Sequence, residues 1–85
     1  MIRTLIVDDA PLVREGIRLL LDGEKDIEIV GEAADGQEAV AAIRQLAPDL
    51  TFLDVQMPGL DGFQVMTECA GRCMGAVIFV AMKPG

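Results

Sequence analysis

Four short apolar runs alternate with three segments of helical spacing, and this alternation constrains the fold more than any other feature of the chain. Leu5, Ile6 and Val7 form the first run, closed by Asp8 and Asp9. Pro11 then stands at a first helical position, where its missing N–H costs little. Apolar residues at 13, 17, 20 and 21 follow at helical spacing, and Asp22-Gly23 ends that helix. IEIVGEA at 27–33 reads as a second strand. Asp35 is placed as the N-cap of a helix that carries Val40, Ile43 and Leu46 on one face and stops at Pro48. LTFL at 50–53 is a third strand, apolar enough for burial on both faces. Asp61 or Gly62 opens a third helix with Phe63, Val65, Met66 and Cys69, which Gly71 and Gly75 break. AVIFVA at 76–81 is a fourth strand, followed by Lys83, Pro84 and Gly85.

Strand and helix in strict alternation, with short connections, imply an α/β fold: a parallel sheet with helices on both faces and right-handed crossovers. The 85 residues allow one small domain, 1–85. In such sheets ligands bind outside the carboxyl ends of the strands.

Composition removes several function classes. The net charge is −7, so there is no basic patch for direct nucleic-acid binding. No apolar run approaches the length needed to span a membrane, and the N-terminal MIRTLIVDD lacks the pattern of a signal peptide. Cys69 and Cys73 fall on one helical face. With no histidine and no second cysteine pair they are expected to be free thiols rather than zinc ligands, in a cytoplasmic protein. The methionines at 57, 66, 74 and 82 read as ordinary core or loop positions.

Three acids sit at carboxyl ends of strands: Asp8 and Asp9 after the first, Asp54 after the third. A parallel sheet brings such ends together. Carboxylates at close range repel and need a cation to stay ionised, and an all-oxygen donor set selects a hard ion such as Mg2+. One aspartate of such a cluster can act as nucleophile toward a phosphoryl group, forming an acyl phosphate. Asp54 is the best placed, because the turn Gln56-Met57-Pro58-Gly59 follows it and offers the Gln56 carbonyl as a further ligand. Plainer readings stand beside these. Asp9 before Ala10-Pro11 reads equally as a helix cap, Asp61 and Asp35 read as caps, and Asp54 reads as a solvated strand end. Successive strand residues point to opposite faces, so Asp8 and Asp9 converge only if the chain bends between them.

LIVDD, GEAADGQEAV and PDLTFLDVQMPGLDGFQVM, in this order and spacing, resemble the receiver domain of bacterial two-component response regulators over about residues 2–81. FLDVQMPGLDGF with AVIFV looks most like receivers joined to LytTR-type DNA-binding outputs. The resemblance implies a flavodoxin-like three-layer sandwich, here with strand order 2-1-3-4. It also implies that Asp54 accepts phosphate from a sensor histidine kinase, with Mg2+ held by Asp8, Asp9, Asp54 and the Gln56 carbonyl. Such a domain is not an enzyme beyond handling its own phosphoryl group, and it belongs to a protein that regulates transcription.

The sequence departs from the family in three places. The family's fifth strand and last helices have no counterpart, which reads as a C-terminally truncated receiver. The family's switch hydroxyl falls at Ala81, which has none. The family's lysine belongs to the absent strand, and Lys83 of KPG would have to reach the phosphoryl site by a shortened path. A fourth strand left at the sheet edge invites self-association through residues 76–81. Two other functions are open: a non-signalling receiver that serves as a dimerisation module, and a Mg2+-dependent aspartyl phosphohydrolase. The hydrolases with that chemistry show D-x-D-x-[TV] after the first strand, where this chain has DDAP.

Overall fold

A computed structural model describes residues 1–57, 59–69 and 75–81. The element order is β1 (Ile2–Val7), α1 (Pro11–Leu21), β2 (Ile27–Ala33), α2 (Gly36–Leu46), β3 (Leu50–Asp54), α3 (Gly62–Cys69) and β4 (Ala76–Val80). The strands form one parallel sheet in the order β2-β1-β3-β4. This is the flavodoxin-like architecture and strand order expected. The sequence positions of β2 and of the second and third helices are as read from the pattern. Cys73 and Lys83 lie outside the described residues, as do Pro58, Gly71, Met74, Met82, Pro84 and Gly85.

The register explains the layers. Val7 lies beside Leu53 and Leu53 beside Phe79, so these three point to one face. Leu5, Val7 and Leu53 pack there with Ala39, Val40 and Ile43 of α2 and Val65 and Cys69 of α3. Ile6 and Ile17 are buried but belong to no part of that cluster; Ile6 alternates with Leu5 and Val7 and so points to the opposite face of the sheet, and α1, which carries Ile17, packs on β1 and β2. Cys69 is thus a buried core thiol. Met57 is a core residue as expected, whereas Met66 is exposed.

Polar groups fix the ends. The α2 terminus places Ala47 in the left-handed region at φ 45°. Arg3 Nη1 donates to the Leu46 carbonyl at 2.6 Å and to the Ala47 carbonyl at 3.1 Å, which satisfies oxygens that a helix leaves unpaired. The Arg3 amide donates to Asp49 Oδ2 at 2.9 Å, and the Asp49 amide donates to the Arg3 carbonyl at 2.8 Å. One arginine at the start of β1 therefore joins the end of α2 to the start of β3.

Three expectations are corrected. β1 begins at Ile2, not Leu5, because pairing with β2 and an Ile2 N–H bond to the Asp26 carbonyl extend the strand into polar sequence. Leu20 does not face the core: it is 77% exposed, with Leu12 and Leu19, and Ile17 is the one buried residue of α1. Helical spacing marks an apolar stripe but not whether anything covers it. Asp9 is not the cap of α1. Ala10 holds that position without a side-chain bond, and its amide is taken by Asp8 Oδ1 at 2.8 Å.

Candidate functional site

β1 and β3 are hydrogen-bonded neighbours, so their carboxyl ends lie side by side. Asp8 follows directly on β1 and Asp54 closes β3; both are buried, while Asp9 is partly exposed. One carboxylate oxygen from each of Asp8, Asp9 and Asp54 lies within 4.8 Å of the others. Residues 45 apart in sequence thus form one acidic pocket, as the strand-end argument anticipated. Ligand oxygens around Mg2+ sit about 2.1 Å from the ion, hence roughly 3–4 Å apart. The pocket therefore fits a hard cation with small side-chain rotations or one bridging water.

The backbone around the pocket is tightly built. Asp54 Oδ1 accepts from the Gln56 amide at 3.1 Å, which folds the chain back immediately after the strand. Gly59 turns the chain further with φ +77°. Asp61 and Gln64 exchange side-chain bonds with each other's amides at 2.8 and 2.9 Å, a capping box that starts α3. Asp35 caps α2 by accepting from the Glu38 amide at 2.8 Å. Asp61 and Asp35 are thus caps, as read from the sequence. Ala81 follows β4 and is exposed.

Two features escaped the sequence. Gly36 and Gly62 are close-approach positions. A Cβ on Gly36 would stand 2.2 Å from the Leu60 carbonyl oxygen, and one on Gly62 would stand 2.4 Å from the Asp54 carbonyl oxygen. The second is a clamp of Arg14, Arg18 and Glu32 that joins α1 to β2. Arg14 Nε bonds Glu32 Oε1 at 3.2 Å, and Arg18 Nε bonds Glu32 Oε2 at 2.9 Å. Arginines at i and i+4 on a helix share a face, which was visible, but their shared acid on another element was not.

The Arg18 hydrogen bond, reinforced by the charges of both arginines and the bond from Arg14, holds the Glu32 carboxyl below the ordinary 4.5 against an opposing push from burial. A depressed carboxylate contributes stability that is complete above the unfolded value and is lost as pH falls through the folded one. Glu32→Gln is expected to lower stability at pH 7, with the deficit shrinking below pH 4.5. Urea unfolding of both proteins at pH 7 and at about pH 3 reads this. The effect is modest because the side chain is partly in water.

The response regulator receiver domain matches this chain over residues 4–83. The chain belongs to the response regulator receiver family. The transcriptional regulatory protein BtsR of Salmonella typhi is 54% identical over 66 residues, covering 78% of this chain. The receiver spans 28% of that relative's length. The response regulator domain of Thermotoga maritima CheB superposes with a TM-score of 0.88 at 34% identity, over 93% of this receiver and 59% of that chain. A CheX–CheY complex with BeF3 and Mg2+ from Borrelia burgdorferi gives a TM-score of 0.83 at 30% identity, over 92% of this receiver and 60% of that chain. Among the described residues no helix is long and apolar enough to cross a membrane.

Proposed function

We propose that this receiver is a phosphoacceptor in a two-component relay, with Asp54 taking a phosphoryl group from a sensor histidine kinase. The observation that carries the reading is the convergence of Asp8, Asp9 and Asp54 at one end of the sheet. A carboxylate oxygen of Asp54 attacks phosphorus as the P–N bond of the donor phosphohistidine breaks, its electron pair returning to the imidazole. Asp8, Asp9, Asp54 and the Gln56 carbonyl are the residues assigned to Mg2+, an assignment the oxygen-only donor set supports. When bound, Mg2+ supplies charge neutralisation for the transferring group. β3 holds Asp54 rigidly, and the Gln56 amide orients its other carboxylate oxygen, so the attacking oxygen is presented without reorganisation. The BeF3- and Mg2+-bound relative supports the same site chemistry. The parent protein is then a transcription regulator, by likeness to the transcriptional regulatory protein BtsR, and the cytoplasmic location expected from the sequence is proposed with it. A LytTR-type output rests on the wording of FLDVQMPGLDGF and AVIFV alone; the relatives' names say no more than transcriptional regulation. Incubation with a small phosphodonor and Mg2+ is expected to add one phosphoryl mass that hydroxylamine removes, as an acyl phosphate requires. No adduct at any Mg2+ concentration sinks the reading.

A second reading, a non-signalling receiver that associates with its own kind, is favoured by β4. Ala81 offers no hydroxyl at the family's switch position, and Lys83 is kept only as a proposed phosphate contact. Among the described residues β2 and β4 are the outer strands of the sheet, and the two differ. β2 carries Glu28 and Glu32 and a register shift against β1, both devices that discourage edge pairing. β4 is GAVIFVA with its flanking residues, without a charge, and Ile78 is exposed. The occupant proposed for that edge is β4 of a second copy, antiparallel about Ile78. Light scattering of the 85-residue chain is expected to give a dimer that Ile78→Lys converts to a monomer. A monomer at all concentrations, or a dimer indifferent to Ile78→Lys, removes the proposal.

A further inference from the structure

We propose that Arg14 is a positioning residue for the acidic pocket: it holds the peptide between Asp8 and Asp9 in the rotation that lets both carboxylates face Asp54. The inference rests on the Mg2+ pocket proposed above. Neighbouring residues of an extended chain send their side chains to opposite sides, yet both acids reach within 4.8 Å of the same third carboxylate. The linking peptide must therefore be turned out of strand geometry and kept there. Its oxygen is the Asp8 carbonyl, and Arg14 Nη1 donates to that oxygen at 2.6 Å. The Asp8 amide is fixed on the other side by donating to the Ala33 carbonyl at 3.1 Å. With Asp8 anchored at its amide and its carbonyl, the direction in which Asp9 leaves the chain is set.

Arg14 is itself held. Its Nε meets Glu32 Oε1 on β2, and the other Glu32 oxygen is gripped by Arg18 one turn along α1. The guanidinium serves because one planar fork reaches a carboxylate and a backbone carbonyl at once. Groups that orient metal ligands from behind commonly change metal affinity by one to two orders of magnitude when removed.

The sign of the effect separates positioning from charge. Deleting a cation beside three carboxylates would by Coulomb's law alone tighten Mg2+ binding. Loss of positioning weakens it. Calorimetric Mg2+ titration of the wild-type chain, Arg14→Leu and Arg14→Gln is expected to show about tenfold weaker binding in both variants. Arg14→Lys, which keeps the charge but not the fork, is expected to recover only part of the loss. In metal-free protein, the Asp9 and Ala10 amides are expected to exchange faster in Arg14→Leu, at unchanged far-ultraviolet circular dichroism. Unchanged or tighter Mg2+ binding with unaltered exchange overturns the inference. A wild-type chain that binds no Mg2+ overturns the metal site itself, and the exchange measurement then still decides whether Arg14 holds the peptide.

Discussion

Gly62→Ala is expected to cost about 2 kcal/mol of folding stability and to disturb the acidic pocket as well. Alanine at the start of α3 would gain roughly 1 kcal/mol in helix propensity. Against this, its Cβ would stand 2.4 Å from the Asp54 carbonyl oxygen and 3.1 Å from Val55 Cα. Both are backbone atoms, which cannot swing aside as a flexible side chain would, and overpacking of this kind costs about 1–3 kcal/mol or more. The overlap wins. Gly36→Ala meets the Leu60 backbone in the same way, at 2.2 Å from its oxygen, but across the turn rather than at the strand end. The two variants therefore form a controlled pair. Both are expected to lower the melting temperature by about 10 °C, a domain of this size losing roughly 4–8 °C per kcal/mol. Gly62→Ala, which pushes on the Asp54 peptide, is expected to weaken Mg2+ binding more than Gly36→Ala. A Gly62→Ala protein with wild-type stability and wild-type Mg2+ affinity would show that the α3 start is not packed on the end of β3.

Asp54→Asn is expected to act in two opposite directions. It removes the oxygen proposed as the nucleophile, so transfer of a phosphoryl group to this position is expected to be lost altogether rather than reduced. It also relieves repulsion. Asp8, Asp9 and Asp54 crowd three carboxylates within 4.8 Å, and replacing one by a neutral amide of the same shape keeps an oxygen for the Gln56 amide. In Mg2+-free buffer the variant is expected to be more stable than wild type by about 1–2 kcal/mol. Added Mg2+ is expected to narrow the gap, since the wild type has one more crowded carboxylate for the cation to offset. Thermal melts with and without Mg2+ measure this. A variant less stable than wild type in the absence of Mg2+ would mean that the three acids do not repel as their spacing requires.

The sheet was legible because its apolar runs are short, separated by helical periods and closed by turn residues; β2, α2 and α3 needed no correction. The acid pocket was legible for the same reason, since a carboxylate directly after a buried strand has one place to go. What lay hidden involves partners distant in sequence. Nothing around Arg14 reveals that it will grip the Asp8 carbonyl, because Glu32, which aims it, arrives 18 residues later on the neighbouring strand. Gly36 and Gly62 look like ordinary helix-start glycines until Leu60 and the Asp54 carbonyl are brought against them. Leu20 shows the converse error. Its periodicity is right, but burial depends on what lies opposite, and there Leu12, Leu19 and Leu20 face solvent.

The central claim is that the three aspartates form a phosphoacceptor pocket with Asp54 as the acceptor. Intact mass spectrometry after exposure to a small phosphodonor, with and without Mg2+, tests it most directly. The account predicts one phosphoryl adduct on the wild-type chain in Mg2+, little without it, and none on Asp54→Asn. An adduct that persists on Asp54→Asn, or forms equally well without Mg2+, would contradict it.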